Sequence, residues 1–385
     1  FQLAKQRQLR LSLRNPDFTT AIRIAKVVNA YIGADIAKAA DSSTIELTCP
    51  PKYDMTSLIA EIEGLVVVPD QPARIVIDEA SGVIVMGEDV GKAGGTYKAT
   101  QGLWDKYGEK RVIDTPISEG SFTGLAIGAS FLGVRPVIEI MSVNFAWLAM
   151  DQLFNTAAKV RYMSGGQLEA PVVMRSPGGT AHQLGAQHSA RMEKVFMGIA
   201  GLRVVTPSTP KQAYGLLKAA IRCNDPVFIN EHERMYGLKG EVPDEEYFHP
   251  LEGSECIREG SDITLFGYNL STHWNLEAAE VLSREHGIEA EVIDLYALSP
   301  LDREGIVASV SKTHRALISE EAEAPVGVGS EVMAIINEGC FYELDCAPKR
   351  VSSLNVPVPY NHHLEAAAIP DASWVVKAAL EMFGK

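Results

Sequence analysis

The chain has 385 residues, 46% hydrophobic and 22% charged, with 32 Gly and 20 Pro, the make-up of a globular protein of two or three domains and not of a disordered or fibrous one. Its 35 basic and 49 acidic side chains leave a net charge of −14, which argues against nucleic acid, because phosphate binding needs concentrated Lys and Arg. No apolar run approaches the ~18 residues of a membrane span, so a soluble chain is expected.

The first 83 residues hold nine basic and ten acidic side chains, so nearly all of the negative charge lies beyond them. This stretch is expected to form a small α+β module. NPDFTTAIRIAKVVNAYIG (15–33) has a Pro-Asp start and a Gly stop that predict a helix. STIELTCP (43–50), MTSLIAEIEGL (55–65), LVVVPD (65–70) and ARIVIDEASGVIVMG (73–87) then predict strand, helix, strand and hairpin. From residue 84 short apolar runs alternate with helical patterns, the signature of a mainly parallel sheet covered by helices. Strands are expected at VIVMG (83–87), RPVIEI (135–140), APVVMRS (170–176), LRVVTP (202–207) and DPVFINE (225–231), with helices over 120–133, 146–163 and 209–223. Residues 237–262 are polar and turn-rich and predict a linker. A second series follows, with strands at 262–268, 290–295 and 314–321 and helices over 270–287, 302–312 and 371–384. The expected domains are 1–83, 84–256 and 257–385.

The five cysteines are scattered without CxxC spacing, which points to neither a disulfide framework nor a zinc site and makes a reducing compartment the default. The opening FQLAKQRQLRLSLRN has no apolar signal-peptide core, so a bacterial cytoplasm, or a mitochondrial matrix in a eukaryote, is the expected setting. Candidates for chemistry are acids and histidines near glycines or at element ends, where side chains reach a cleft. DTPISEGSFTGLAIGAS places Asp114 and Glu119 around a loop that enters a small-residue helix, whose dipole favours an anion at Glu119. MSVNFAWLAMDQ brings Phe145 to a strand-to-helix junction, where ligands bind in open α/β sheets. SPGGTAHQLGAQHSA combines a glycine turn with His182 and His188. GEDVGKAGGTYK (87–98) lacks both phosphate-loop spacings. Each of these stretches alone also fits an ordinary helix-start acid, a core aromatic or a surface histidine.

Taken together, the motifs resemble the β subunit of the thiamine-diphosphate-dependent E1 component of 2-oxo acid dehydrogenase complexes, of the pyruvate, branched-chain and acetoin type. The resemblance rests on GEDVGKAGGTYKATQGLWDKYGEKRVIDTPISE, RPVIEIMSVNFAWLAMDQLFNTAAKVRYMSGGQ, AQHSA, VVTPSTPKQAYGLLKAAIR and VIDLYALSPLD, and spans residues 84–385. It implies a transketolase-like pyrimidine-binding α/β domain followed by a transketolase C-terminal-like α/β domain. It also implies thiamine-dependent decarboxylation of a 2-oxo acid, pyruvate first, and reductive acylation of a lipoyl group. Glu119 then matches the glutamate that bonds N1′ of the aminopyrimidine, Phe145 the aromatic stacked on that ring, His188 a catalytic histidine of the channel, and Glu88 a second acid near the cofactor. Carbonyls of Val172, Ala220, Cys223 and Asp225 fall where some relatives hold potassium. The family's diphosphate and magnesium motif, GDG, is absent, so an α subunit is expected to hold magnesium and half of the cofactor in an α2β2 heterotetramer, which in turn meets a lipoyl-bearing E2 acyltransferase.

Two departures stand out. Family members open with an amphipathic helix leading into the strand VIVMG, and none precedes it here, so one sheet face is expected to be bare unless the first module covers it. RNPDFTTAIRIAKVVNAYIG and LIAEIEGLVVVPDQPARIVIDEASGVIVMG instead resemble the C-terminal part of the flagellar P-ring protein, which makes the chain a mosaic and a structural role the alternative function. Leu148 stands where pyruvate-type relatives carry a polar residue, which leaves the choice of 2-oxo acid open.

Overall fold

The computed structural model describes residues 6–13, 18–41, 43–65 and 82–385. The chain divides into two compact units, residues 1–74 and 75–385. In the first, strands β1 (Gln8–Ser12), β2 (Ala37–Ala39) and β3 (Thr44–Thr48) form an antiparallel sheet in the order β1-β3-β2. Helix α1 (Phe18–Ile32) lays Ala21, Ala25 and Val28 on it, and Ile45 and Leu47 point back from the sheet. Helix α2 (Met55–Ile62) is capped by Asp54, whose carboxylate accepts from the amides of Thr56 and Ser57, and it buries Met55, Leu58 and Ile62 in the same core. The sequence points to α1, α2 and β3; β1 escapes because LRLS carries an Arg between its leucines. The strand expected over 65–70 and the hairpin over 73–87 lie outside the described residues apart from 65 and 82–87.

That last stretch is β4 (Val83–Gly87), a strand of a different sheet. With β5 (Val112–Asp114), β6 (Arg135–Glu139), β7 (Val173–Gly178), β8 (Arg203–Val205) and β9 (Val227–His232) it builds a parallel array, completed by the antiparallel β13 below. In the second half, β10 (Glu255–Arg258), β11 (Ile263–Gly267), β12 (Ala290–Asp294), β13 (Ala297–Ser299), β14 (Ala316–Glu323) and β15 (Lys349–Ser353) follow in sequence. The two sheets run β13-β8-β9-β7-β6-β4-β5 and β10-β12-β11-β14-β15. Two readings of the sequence are corrected here. The stretch 237–262 is not all linker, because Glu255–Arg258 pairs with β12. The expected helix over 146–163 is three pieces: a 3-10 turn at Val143–Ala149, a π segment at Gln152–Ala157 and a short α-helix at Ala158–Met163. Its apolar spacing was right; the local winding changes where the segment packs beneath the helix Glu119–Ser130.

β13, although in the second half, extends the first sheet, and the main core runs through both halves from Ile84 to Cys340. A polar knot ties them as well. Asp294, at the end of β12, is fully buried and accepts from Ser208 Oγ (2.8 Å), Gln212 Nε2 (2.8 Å) and Thr272 Oγ1 (3.0 Å). Burial pushes its carboxyl up to about 6 despite those three donors.

On one face of the first sheet, the helix Pro210–Arg222 sets Leu216 and Ala220 against Val173, Val205, Val227 and Ile229. It leaves Val83, Val85 and Val137 lining an apolar groove of about 520 Å3, walled by Leu103, Leu217, Ile221 and Leu238. Interior parallel strands are normally covered on both faces, and among the described residues of the larger unit this groove is where the face of β4 and β6 lies open. Its floor is the triad Glu139–Arg175–Glu231.

Candidate active site

The parallel strands all end on one side of the first sheet, and every candidate for cofactor chemistry hangs from those ends. Glu88 follows β4. Glu119 follows β5 by one short loop and opens the helix Glu119–Ser130. Phe145 follows β6 within the 3-10 turn, and His188 lies on the loop after β7. The order β7-β6-β4-β5 sets Glu88 between the loops that bear Phe145 and Glu119. This is the crevice where open α/β sheets bind ligands.

Glu119 is 4% exposed and lies in the first turn of the helix, at its positive end, where the preceding Ser118 makes no side-chain cap. The helix is thin here for a reason: a Cβ on Gly120 would stand 2.8 Å from the Leu148 carbonyl oxygen, so only glycine lets the helix press on the 3-10 turn. Glu88 is 8% exposed and its Oε1 meets no hydrogen-bond donor among the described residues. Burial first, then the charges of Glu119 and Asp89, push its pKa up. Two carboxyls thus share one field, one of them short of a donor.

Phe145 and His188 meet edge to face, with ring centroids 5.4 Å apart and planes perpendicular. Asn144, unremarked in the sequence, holds them together. Its Nδ2 donates to the Ala186 carbonyl (3.4 Å) and its Oδ1 accepts from the Ala190 amide (3.1 Å), gripping the loop on both sides of His188. The signal available was its place beside Phe145 at a strand end. Asp114 proves to be a loop clamp: its Oδ1 accepts from the Gly91 amide at 2.6 Å and fixes the GEDVGKAGG turn. His182 lies exposed on the same loop as His188, and His362 and His363 lie exposed at the start of the helix His362–Ala368.

The four carbonyls suggested for potassium lie toward the opposite ends of the strands. Val172 accepts from the Val227 amide (3.0 Å), Ala220 from the Cys223 amide (3.1 Å) and Cys223 from Arg135 Nη1 (3.0 Å). The Asp225 carboxylate is taken by Arg161 and Arg203. Among the described residues the one cluster with metal-ligand spacing is Cys256, Glu259 and Glu291, and Lys312 already pairs with both of its acids.

Residues 74–239 match the transketolase pyrimidine-binding domain and residues 253–375 the transketolase C-terminal domain. The pyruvate dehydrogenase E1 component subunit β of Porphyra purpurea is 48% identical over 296 residues, 77% of this chain and 89% of the relative. The chain belongs to the pyruvate dehydrogenase E1 β-subunit family. The chloroplastic subunit β-3 of Arabidopsis thaliana is 42% identical over 359 residues, 93% of this chain and 86% of the relative. A solved structure titled split gene transketolase, inactive beta4 tetramer, superposes with a TM-score of 0.64 over 79% of this chain and 92% of that one; at 23% identity it speaks for the fold. Residues 1–93 match the flagellar P-ring protein, overlapping the transketolase match at 74–93. The E1 β-type fold is therefore established for the larger unit, and the mosaic reading of the chain has a family match at each end.

Proposed function

We propose that this chain is the β subunit of a pyruvate dehydrogenase E1 component, working with an α subunit to decarboxylate pyruvate and acylate a lipoyl group on an E2 acyltransferase. The observation that carries the reading is the one-sided site: Glu88, Glu119, Phe145 and His188 share the carboxyl edge of the sheet, beside no GDG diphosphate motif. The residues fit the aminopyrimidine half of thiamine diphosphate. Glu119 is a buried acid at a helix start, and the Glu88 oxygen, without a donor among the described residues, suits a donor on the cofactor.

Thiamine diphosphate, when bound, supplies the carbon nucleophile and the electron sink. The chain's part is proton handling and orientation. Glu119 exchanges a proton with N1′ of the aminopyrimidine, a job for an acid whose affinity is balanced against a weakly basic ring nitrogen. Glu88, with its raised pKa, holds a proton more readily than an exposed acid and limits repulsion at Glu119. Phe145 offers a flat face for the pyrimidine, and the His188 edge, fixed through Asn144, serves proton transfer in the channel. Magnesium belongs with the diphosphate on the α side. Potassium is proposed at the second lone pairs of the Val172, Ala220, Cys223 and Asp225 carbonyls, in competition with the Arg135 guanidinium; a higher melting temperature in potassium than in sodium is expected, and equal values would refute the site.

The α subunit also has a surface to meet. Ile117, Trp147, Leu148, Phe154, Tyr162 and Met163 are all exposed on the loop and the three-part segment that flank Glu119 and Phe145. Scattered exposed apolar residues are ordinary, but this many around one site suit a protein partner. The setting proposed is the cytoplasm or an organelle such as the matrix, where the five free cysteines stay reduced.

Residues 1–83 are proposed as an appended module without a part in catalysis, with residues 84–256 and 257–385 as the two catalytic domains. Reconstituted with an E1 α subunit, residues 82–385 should turn over pyruvate within about twofold of the full chain. A loss beyond tenfold would make the module part of the enzyme, and a P-ring role is the reading that remains if neither form is active.

A further inference from the structure

A second cavity, of about 720 Å3, opens between the loop after β7, the turn after β9 and the helix His362–Ala368. None of Glu88, Glu119, Phe145 or His188 lines it. Its wall contains Glu233, which is 4% exposed and has neither carboxylate oxygen in a hydrogen bond of normal geometry among the described residues. Facing the same space is Glu365, 3% exposed: its Oε1 accepts from Arg234 (3.2 Å), and its Oε2 has no partner among the described residues. Two buried carboxyls thus line one cavity with few donors of their own, the Tyr97 hydroxyl beside Glu233 and Arg234 at Glu365, a costly arrangement unless something further donates to them. Burial pushes the Glu233 carboxyl up to about 7, with the Tyr97 hydroxyl beside it partly relieving that rise.

Aromatic rings complete the lining. Tyr97 and Tyr236 lie with centroids 5.3 Å apart, tilted by 36°. The Tyr236 hydroxyl is already spent on Glu231 (2.6 Å), so what it offers the cavity is its ring. Carboxylates beside aromatic faces select organic cations, which gain both charge-assisted hydrogen bonds and attraction to the π faces. A bare metal ion does not fit, because the acids and imidazoles here do not converge to ligating distance.

We propose that this cavity binds a small molecule bearing a guanidinium or primary ammonium group, with Glu233 and Glu365 as its acceptors and Tyr97 and Tyr236 as its aromatic wall.

The test is calorimetric titration of the full chain with butylguanidine and with its uncharged near-isostere butylurea. Butylguanidine is expected to bind at least about tenfold more tightly, the difference a charge-assisted pair contributes. Glu233→Gln should erase that preference. Tyr97→Phe should keep it, and Tyr97→Leu should weaken binding about threefold, the loss of one cation–π contact. The tyrosine pair keeps the test decisive if the Glu233 variant fails to fold. Equal affinity for the two probes, no binding of butylguanidine below about 10 mM, or an unchanged preference in a folded Glu233→Gln protein would overturn the proposal.

Discussion

Glu119→Gln is expected to cut pyruvate turnover by the reconstituted α and β subunits by about 10²–10⁴-fold, the range general acid–base groups contribute. The glutamine side chain matches the carboxyl in shape but cannot exchange a proton with the pyrimidine. Nothing else in the chain should respond. Among the described residues no side-chain hydrogen bond or ion pair ties Glu119 to a neighbour, and Gly120 rather than Glu119 makes the tight contact with the 3-10 turn, so melting temperature and α-subunit binding should stay at parent values. Steady-state kinetics on matched preparations separate the cases. A variant within threefold of the parent would remove Glu119 from the mechanism, whereas a variant that fails to assemble would make it structural.

Arg175→Met should produce the largest loss of stability in the first sheet. The guanidinium, buried beneath the apolar groove, pairs with Glu139 and bonds Glu231 through both Nε and Nη2. Burial works against its charge, but Glu231 and Glu139 outweigh that and hold the arginine protonated. Removing the cation strands two buried carboxyls, which costs about 3–5 kcal/mol. The pH dependence carries a definite sign. Even with Arg175 present, burial holds Glu139 at about 7, above its ordinary 4.5. A carboxyl raised in the folded state contributes stability that is fully present below its unfolded pKa and is lost as pH climbs through the folded value. Without Arg175 the folded value moves higher still, so the gap between variant and parent should widen from pH 6 to pH 9 in urea unfolding. A constant gap, or a loss under about 1 kcal/mol, would mean that the triad is solvated rather than buried.

Much of this architecture was readable in the residues. The strands VIVMG, RPVIE and VFINE and the helix PKQAYGLLKAAIR sit within two or three residues of where their periodicity placed them, because strands buried on both faces leave long apolar runs. β13 and β15 were missed for the opposite reason: ALS is three residues long, and KRVSS has one apolar side chain. The π segment within 146–163 was invisible because apolar spacing reports which face is buried, not how tightly the backbone is wound. Of the site, Glu119, Phe145 and His188 came from long motifs that tie residue type to position. Asn144 and Glu233 did not, since their importance lies in partners, or the lack of them, contributed by distant loops. The Asp294 knot was equally hidden: its donors Ser208 and Gln212 lie more than eighty residues away in the chain.

The P-ring match remains the feature least integrated with the rest. Its described residues up to 65 fold around their own core of Ile45, Leu47, Met55 and Leu58, which is why a small module could be read from the sequence without reference to the enzyme. The strand Val83–Gly87, claimed by both matches, pairs with β5 and β6 and so belongs structurally to the transketolase-like sheet.

The central claim is that this chain holds half of a thiamine diphosphate site. Titrating thiamine diphosphate with magnesium into the chain alone, and into the chain mixed with an E1 α subunit, tests it directly by calorimetry. No binding is expected without the α subunit at cofactor concentrations up to about 1 mM, and micromolar binding or tighter with it, a gap of about 4 kcal/mol or more. Micromolar binding by the chain alone, or none by the mixture, would contradict it.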